Sequence, residues 1–206
     1  MPLVKAGSRR GSATAPPLPE GGEAIADLTA ADPAQRRMAA HSLARRPEAA
    51  TALAARLGVE EEPGVREAIL TALVRIGTAD AAAGLVPCLG SEDAGLRNGA
   101  IESLNQMPPD AVMPQVEPLL ADADSDLRLF AVQVVAGAVH PERLARLTRV
   151  IDADPQVNVC LAAADGLADM ADPTVLPVLE RLEARFPDEP MVAFAVGAAR
   201  RRFREG

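Results

Sequence analysis

Carboxylates and arginines recur along this chain at one spacing: Asp32 and Arg36, Glu62 and Arg66, Asp93 and Arg97, Asp124 and Arg128. A guanidinium matches a carboxylate bidentately, so such a row is either a set of structural links or a line of ligand-binding groups. A second basic feature is the stretch HPERLARLTRVID, where Arg143, Arg146 and Arg149 recur every three residues opposite Leu144, Leu147 and Ile151. Arg181 and Arg185 follow one repeat later and extend the same basic stripe. His41 and His140 lie far apart, and Cys88 and Cys160 form no CxxC pattern, so no zinc or other metal site and no redox dithiol is expected. Both cysteines read as small buried residues, and His140-Pro141 reads as the turn that opens a helix. The chain has no GxSxG, HExxH or P-loop motif, and no GxGxxG followed by an acidic residue. No catalytic residue and no cofactor are therefore expected.

Composition narrows the partners. The 206 residues carry a net charge of −8, which removes non-specific attraction to nucleic acid or to an anionic membrane. Trp and Tyr are absent and only four Phe are present, so there is no stacking platform for bases. Lys5 is the only lysine, and the dominance of Arg reads as the codon bias of a GC-rich genome ahead of bidentate ligand recognition. No stretch reaches membrane-spanning length and Met1 to Glu20 lacks an apolar signal region, so a cytoplasmic location is expected. Hydrophobic residues make up 49% of the chain, chiefly Ala and Leu, and such small side chains suit closely stacked helical hairpins.

The elements that position these residues repeat. One column reads Arg36, Arg66, Arg97, Arg128, Cys160, Val192, with steps of 30, 31, 31, 32 and 32. Seven residues later the column reads Leu43, Leu73, Leu104, Val135, Leu167, Ala199, and four residues earlier it reads Asp32, Glu62, Asp93, Asp124, Gln156, Asp188. A fixed period of this length marks a solenoid whose units bury their apolar faces against neighbours. Within PGVREAILTALVRIG, Val65, Ala68, Ile69, Ala72, Leu73 and Ile76 follow the spacing of an amphipathic helix, and Gly77 supplies a C-cap. An acidic residue followed by Pro (Asp32-Pro33, Glu62-Pro63, Asp154-Pro155) opens a unit as N-cap and N1. First helices are predicted near 33–45, 63–76, 94–107, 125–138, 156–170 and 189–203, and second helices near 47–57, 80–89, 109–120, 141–152 and 173–185. Each second helix carries an aliphatic residue at a matching place: Leu57, Leu89, Leu120, Ile151, Leu182. Pro87, Pro114, Pro118 and Pro177 fall inside second helices and predict kinks or short first turns. Residues 1–20 lack apolar periodicity and read as a disordered leader, and residues 21–206 as the solenoid.

The unit, best seen in EPGVREAILTALVRIG (62–77) and DPQVNVCLAAADGLADMADP (154–173), resembles the HEAT repeat, and more narrowly the HEAT-like repeat of phycobilisome lyases. The resemblance covers nearly everything from Gly21 to Arg204. It implies an all-α solenoid of about five to six helical hairpins, with second helices lining a concave surface. It also implies that Asp32/Arg36, Glu62/Arg66, Asp93/Arg97 and Asp124/Arg128 form a ladder between neighbouring units. Cys160 and Val192 depart from the arginine column and Gln156 from the acidic one, so the late units are expected to stack differently. Arg202 occupies a column held elsewhere by Ile76, Met107 and Met170, which suits a terminal cap facing water.

Two functional readings follow. The first is a non-catalytic interaction module that binds another protein on its concave face, with Arg143, Arg146, Arg149, Arg181 and Arg185 as partner-binding residues. The alternative, implied by the resemblance, is a bilin lyase-like role, or a chaperone or maturation factor for a cofactor-carrying protein. Arginines would then take propionates and carboxylates the ring nitrogens.

Overall fold

The computed structural model describes residues 21–205, so the expected leader at 1–20 lies outside the described residues. Twelve α-helices and no strand occur among the described residues. A lone helix, α1 (Gly21–Asp27), precedes six first helices: α2 (Pro33–Leu43), α4 (Pro63–Ile76), α6 (Ala94–Gln106), α8 (Ser125–Gly137), α10 (Val157–Ala168) and α12 (Pro190–Glu205). Alternating with them are five second helices: α3 (Ala50–Leu57), α5 (Ala79–Leu85), α7 (Pro109–Val116), α9 (Arg143–Ala153) and α11 (Leu176–Arg185). First helices pack on first helices in sequence order, with α1 closing the row against α2. The architecture is an all-α solenoid.

The prolines act where their missing N–H and fixed φ dictate. Pro47 and Pro173 open short 3-10 turns (Pro47–Ala49 and Pro173–Val175) that lead into α3 and α11. Pro87 and Pro118 end α5 and α7 by converting their last turns to 3-10 helix, at Val86–Gly90 and Glu117–Ala121. Pro177 sits in the first turn of α11, while Pro114 stays inside α7. Gly77 closes α4 in the left-handed conformation (φ 63°), where the absence of Cβ removes the strain.

Asp32, Asp93 and Asp124 cap their helices by accepting backbone N–H bonds two residues on, and Asp93 accepts a further one from Leu96. Glu62 occupies the same cap position without a side-chain bond, its longer side chain being displaced from the N–H groups. Asp154 differs from expectation. Gln156 is the N-cap of α10, while Asp154 ends α9 and turns its carboxylate to Gln156 N–H and to Arg128.

The column Leu43, Leu73, Leu104, Val135, Leu167, Ala199 is buried throughout. In the second helices Leu57, Leu89, Ile151 and Leu182 are fully buried, but Leu120 is only half-buried. The packing explains the exception. Helices α3 and α5, α5 and α7, and α9 and α11 pack as neighbours, whereas α7 and α9 barely meet. The second-helix layer therefore has a break between the third and fourth hairpins, and Leu120 stands at its edge.

Candidate functional site

At five unit boundaries the side chain of the column residue ties down the preceding turn. Arg36, Arg97 and Arg128 donate to the carbonyl six residues earlier, at 2.8 Å (Ala30), 2.7 Å (Ser91) and 2.9 Å (Asp122). Arg66 makes the same bond to the Glu60 carbonyl, and Cys160 makes a weaker one through its thiol to Asp154 at 3.4 Å. The expected i, i+4 ion pairs do not form. The link from Arg36 to Asp32, and from Arg128 to Asp124, is the backbone bond of the first helical turn. Asp32, Asp93 and Asp124 spend a carboxylate oxygen on their own N-caps, and the guanidinium reaches forward to the next boundary instead. Arg36 grips Glu60 bidentately (2.8 and 2.9 Å), Arg66 pairs with Asp93 at 2.5 Å, and Arg128 grips Asp154 (2.7 and 3.2 Å). Arg97 has no carboxylate partner among the described residues and lies over the Phe130 ring at 4.8 Å.

Glu60 is the centre of the tightest of these links and is 1% exposed. Hydrogen bonds from Arg36 hold its carboxyl at about 2, against the opposing effect of burial, with further help from the Glu62 N–H and Arg56. The sequence concealed this residue because Glu60, Glu61 and Glu62 look alike. Only the forward reach of Arg36 singles it out.

The basic stripe is largely committed inside the fold. Arg146 is 7% exposed; it pairs with Glu117 at 2.9 Å and Glu142 at 2.7 Å, and contacts His140 Nδ1 at 3.1 Å. Arg143 donates to the Gly166 carbonyl at 2.7 Å. Arg181 grips Asp152 (2.9 and 3.0 Å). Arg185 donates to the carbonyls of Ile151 and Asp154 and contacts the Cys160 sulfur. It thus brings a guanidinium, from the second helix, to the turn that the column arginine anchors in earlier units. Arg149 is different: its side chain is 69% exposed, and its one partner is Glu117 at 3.1 Å. The stripe is therefore open to solvent at Arg149, while Arg146 is buried where it reaches from α9 to Glu117.

Glu117–Arg146 and Asp152–Arg181 are each 29 residues apart, which makes a second row of inter-unit links on the second helices. Glu117 was not singled out from the sequence; a search for opposite charges just under one repeat apart would have found it. Bonds from Arg146 and then Arg149 hold its carboxyl below the usual range.

These residues surround a cleft of about 460 Å³ at the break in the second-helix layer. Leu120, Val150, Ala153 and Pro155 give it apolar walls. Arg146, Arg149 and Glu117 form one rim, and Asp122, with Arg128 and Asp154, forms the other. A wider groove of about 870 Å³ runs between α4 and α6 in the first-helix layer, but the stripe residues do not reach it. Cys88 and Cys160 are free and buried, and burial pushes both thiols up, so neither is set up as a nucleophile. Among the described residues, no group of three His, Cys, Asp or Glu side chains is gathered as a metal site, and no helix is long and apolar enough to cross a membrane. The cleft has charged rims and an apolar floor, and its lining residues hold no nucleophile and base in contact.

Comparison with known proteins gives the fold a family setting. The profile described as HEAT repeats matches residues 23–105 and 113–195. A bilin biosynthesis protein, PecE of Mastigocladus laminosus, is 32% identical over 122 residues, covering 58% of this chain and 45% of that protein. The chain thus spans less than half the length of that relative. Among solved structures, a designed armadillo repeat protein in complex with peptide (KR)4 aligns with a TM-score of 0.46 at 17% identity, over 90% of this chain and 100% of that one. The complex of CpcE and CpcF of phycocyanin lyase from a Nostoc species aligns with a TM-score of 0.40 at 19% identity, over 98% and 100% of the two chains.

Proposed function

The chain belongs to the HEAT-repeat family, and from that premise we propose that it is a non-catalytic scaffold whose second-helix cleft receives a partner protein. Repeat arrays gain function by presenting an extended surface, and the break between α7 and α9 makes one place on that surface unlike the rest. The observation that carries the reading is Leu120. Its counterparts Leu57, Leu89, Ile151 and Leu182 are fully buried, whereas Leu120 is left half-open at the cleft. A partner side chain seated there completes a burial that the fold leaves unfinished. Arg149 makes the contact at the rim, and Arg146, Arg143, Arg181 and Arg185 hold α9 and α11 in place behind it.

A second reading is favoured by one observation, the 32% identity to a bilin biosynthesis protein over 122 residues. In that reading the cleft takes part in handling a bilin, with Arg149 available to a propionate. The test for both is affinity capture of the tagged chain from its own cell extract, with Arg149→Glu and Leu120→Asp variants alongside and an absorbance scan of each eluate. A colourless stoichiometric partner, lost from both variants, supports the scaffold. A coloured eluate supports the second reading, since no unmodified side chain of the chain absorbs visible light.

A further inference from the structure

We infer that the outward face of α8, α10 and α12 is a docking surface for a basic amphipathic helix of a partner polypeptide. The surface lies in the first-helix layer, apart from the cleft, and stands or falls separately from it. Its first mark is a change of residue type along the array. Two residues after each inward-facing aliphatic (Val65, Leu96, Leu127, Val159, Val192), a first helix presents a side chain outward. In α4 and α6 that position holds exposed Glu67 and Asn98, as on any solvated helix face. In α8, α10 and α12 it holds Leu129, Leu161 and Phe194, the first two half-buried and Phe194 66% exposed. Met191, 58% exposed, stands one turn before Phe194. Single exposed apolar residues are ordinary, but a row at one position of three stacked helices is a patch suited to a partner.

Charge names the partner. Helix α10 carries no basic residue, and the one arginine of α8, Arg128, is gripped by Asp154 at the turn. Asp165 lies beside Leu161, Phe194, Ala195 and Ala198 in a groove of about 340 Å³ between α10 and α12. It is open to solvent on one side, yet its side chain has no ion pair or hydrogen bond among the described residues. Arg202, the one guanidinium lining that groove, faces Asp169 instead at 3.6 Å. Hydrogen-bond donors hold Glu60, Asp93, Glu117, Asp152 and Asp172 below the usual carboxylate range. Asp165 goes the other way: desolvation, and then the like charge of Asp169, push its carboxyl up. An incoming ammonium or guanidinium relieves that cost, and the net charge of −8 attracts it from a distance. Spacing names the partner's fold. Helices α8, α10 and α12 pack in that order, and packed helices stand about 8–10 Å apart. Seven residues of α-helix advance about 10.5 Å. A helix laid across the three therefore meets Leu129, Leu161 and Phe194 with one apolar residue per heptad, and sets a flanking cation on Asp165.

The test is fluorescence anisotropy with three labelled helical peptides of three heptads each: Leu once per heptad flanked by Lys, the same with Gln for Lys, and the same with Glu for Lys. The Lys peptide is expected to bind about tenfold more tightly than its Gln twin, the value of one charge-assisted hydrogen bond, and the Glu peptide not at all. Asp165→Asn should bring the Lys peptide down to the Gln level. Phe194→Ser should weaken the Lys and Gln peptides alike, by about tenfold, because both lose the same apolar contact. Both positions are exposed, so each variant should melt with the wild type, which a thermal scan checks. Equal binding of the Lys and Gln peptides, absence of binding by all three, or full affinity in Phe194→Ser overturns the inference. A Lys preference that survives Asp165→Asn also overturns it, since net charge alone then explains the binding. So does dimerisation of the free chain that Phe194→Ser abolishes, because a second copy then covers the face.

Discussion

The arginines of this chain are organised by what each guanidinium finds one unit ahead. Arg36 finds Glu60, and the pair is both bidentate and buried. Glu60 therefore sets an acid limit on stability. Its carboxyl titrates at about 2 in the folded chain against an ordinary value of 4.5, so its contribution is complete above about 4.5 and disappears as pH falls toward 2. By linkage that contribution is roughly 3 kcal/mol. Urea melts of the wild type and Glu60→Gln should diverge above pH 4.5 and converge toward pH 2; parallel curves would refute the assignment. Arg185 gives a second residue-level contrast with its neighbour. It bonds two turn carbonyls at the Cys160 boundary, while Arg181 makes an exposed pair with Asp152. Arg185→Ala should cost about 2 kcal/mol in a denaturant melt, and Arg181→Ala under about 0.5 kcal/mol.

At the scale of the elements, close helix approach depends on missing side chains as much as on those present. Gly166 lies within α10, where a Cβ would stand 2.5 Å from the Ala136 Cβ of α8. Alanine favours an isolated helix by about 1 kcal/mol over glycine, yet here the backbone contact leaves no room. Gly166→Ala is expected to lower stability by about 2 kcal/mol, read from the shift in a chemical melt, and a stabilised variant would mean that α8 and α10 are less tightly apposed. The element boundaries were legible in the sequence because the periodic apolar columns, the acid–Pro starts and Gly77 all agree. At the fifth unit two signals disagreed: the column put the cap at Gln156, where it is, while Asp154-Pro155 looked like the other acid–Pro starts until Arg128 is seen to claim Asp154.

At the scale of the molecule, period alone revealed the solenoid, but not the break in its second layer. Nothing in the spacing of Leu120 separates it from Leu89 or Ile151; its half-exposure is a consequence of α7 and α9 standing apart, which is a property of stacked units and not of any one repeat. The same is true of the basic stripe. Three arginines at helical spacing look equivalent, and only packing divides them into a carbonyl anchor (Arg143), a buried bridge (Arg146) and an open rim (Arg149). The candidate site was thus visible as residue types and hidden as a cleft. The most direct test of the scaffold account is hydrogen exchange of the purified complex against the free chain. The account predicts slowed exchange concentrated at 117–121 and 143–153, with the first-helix layer unchanged. Protection confined to the groove between α4 and α6, or none in the second helices, would contradict it.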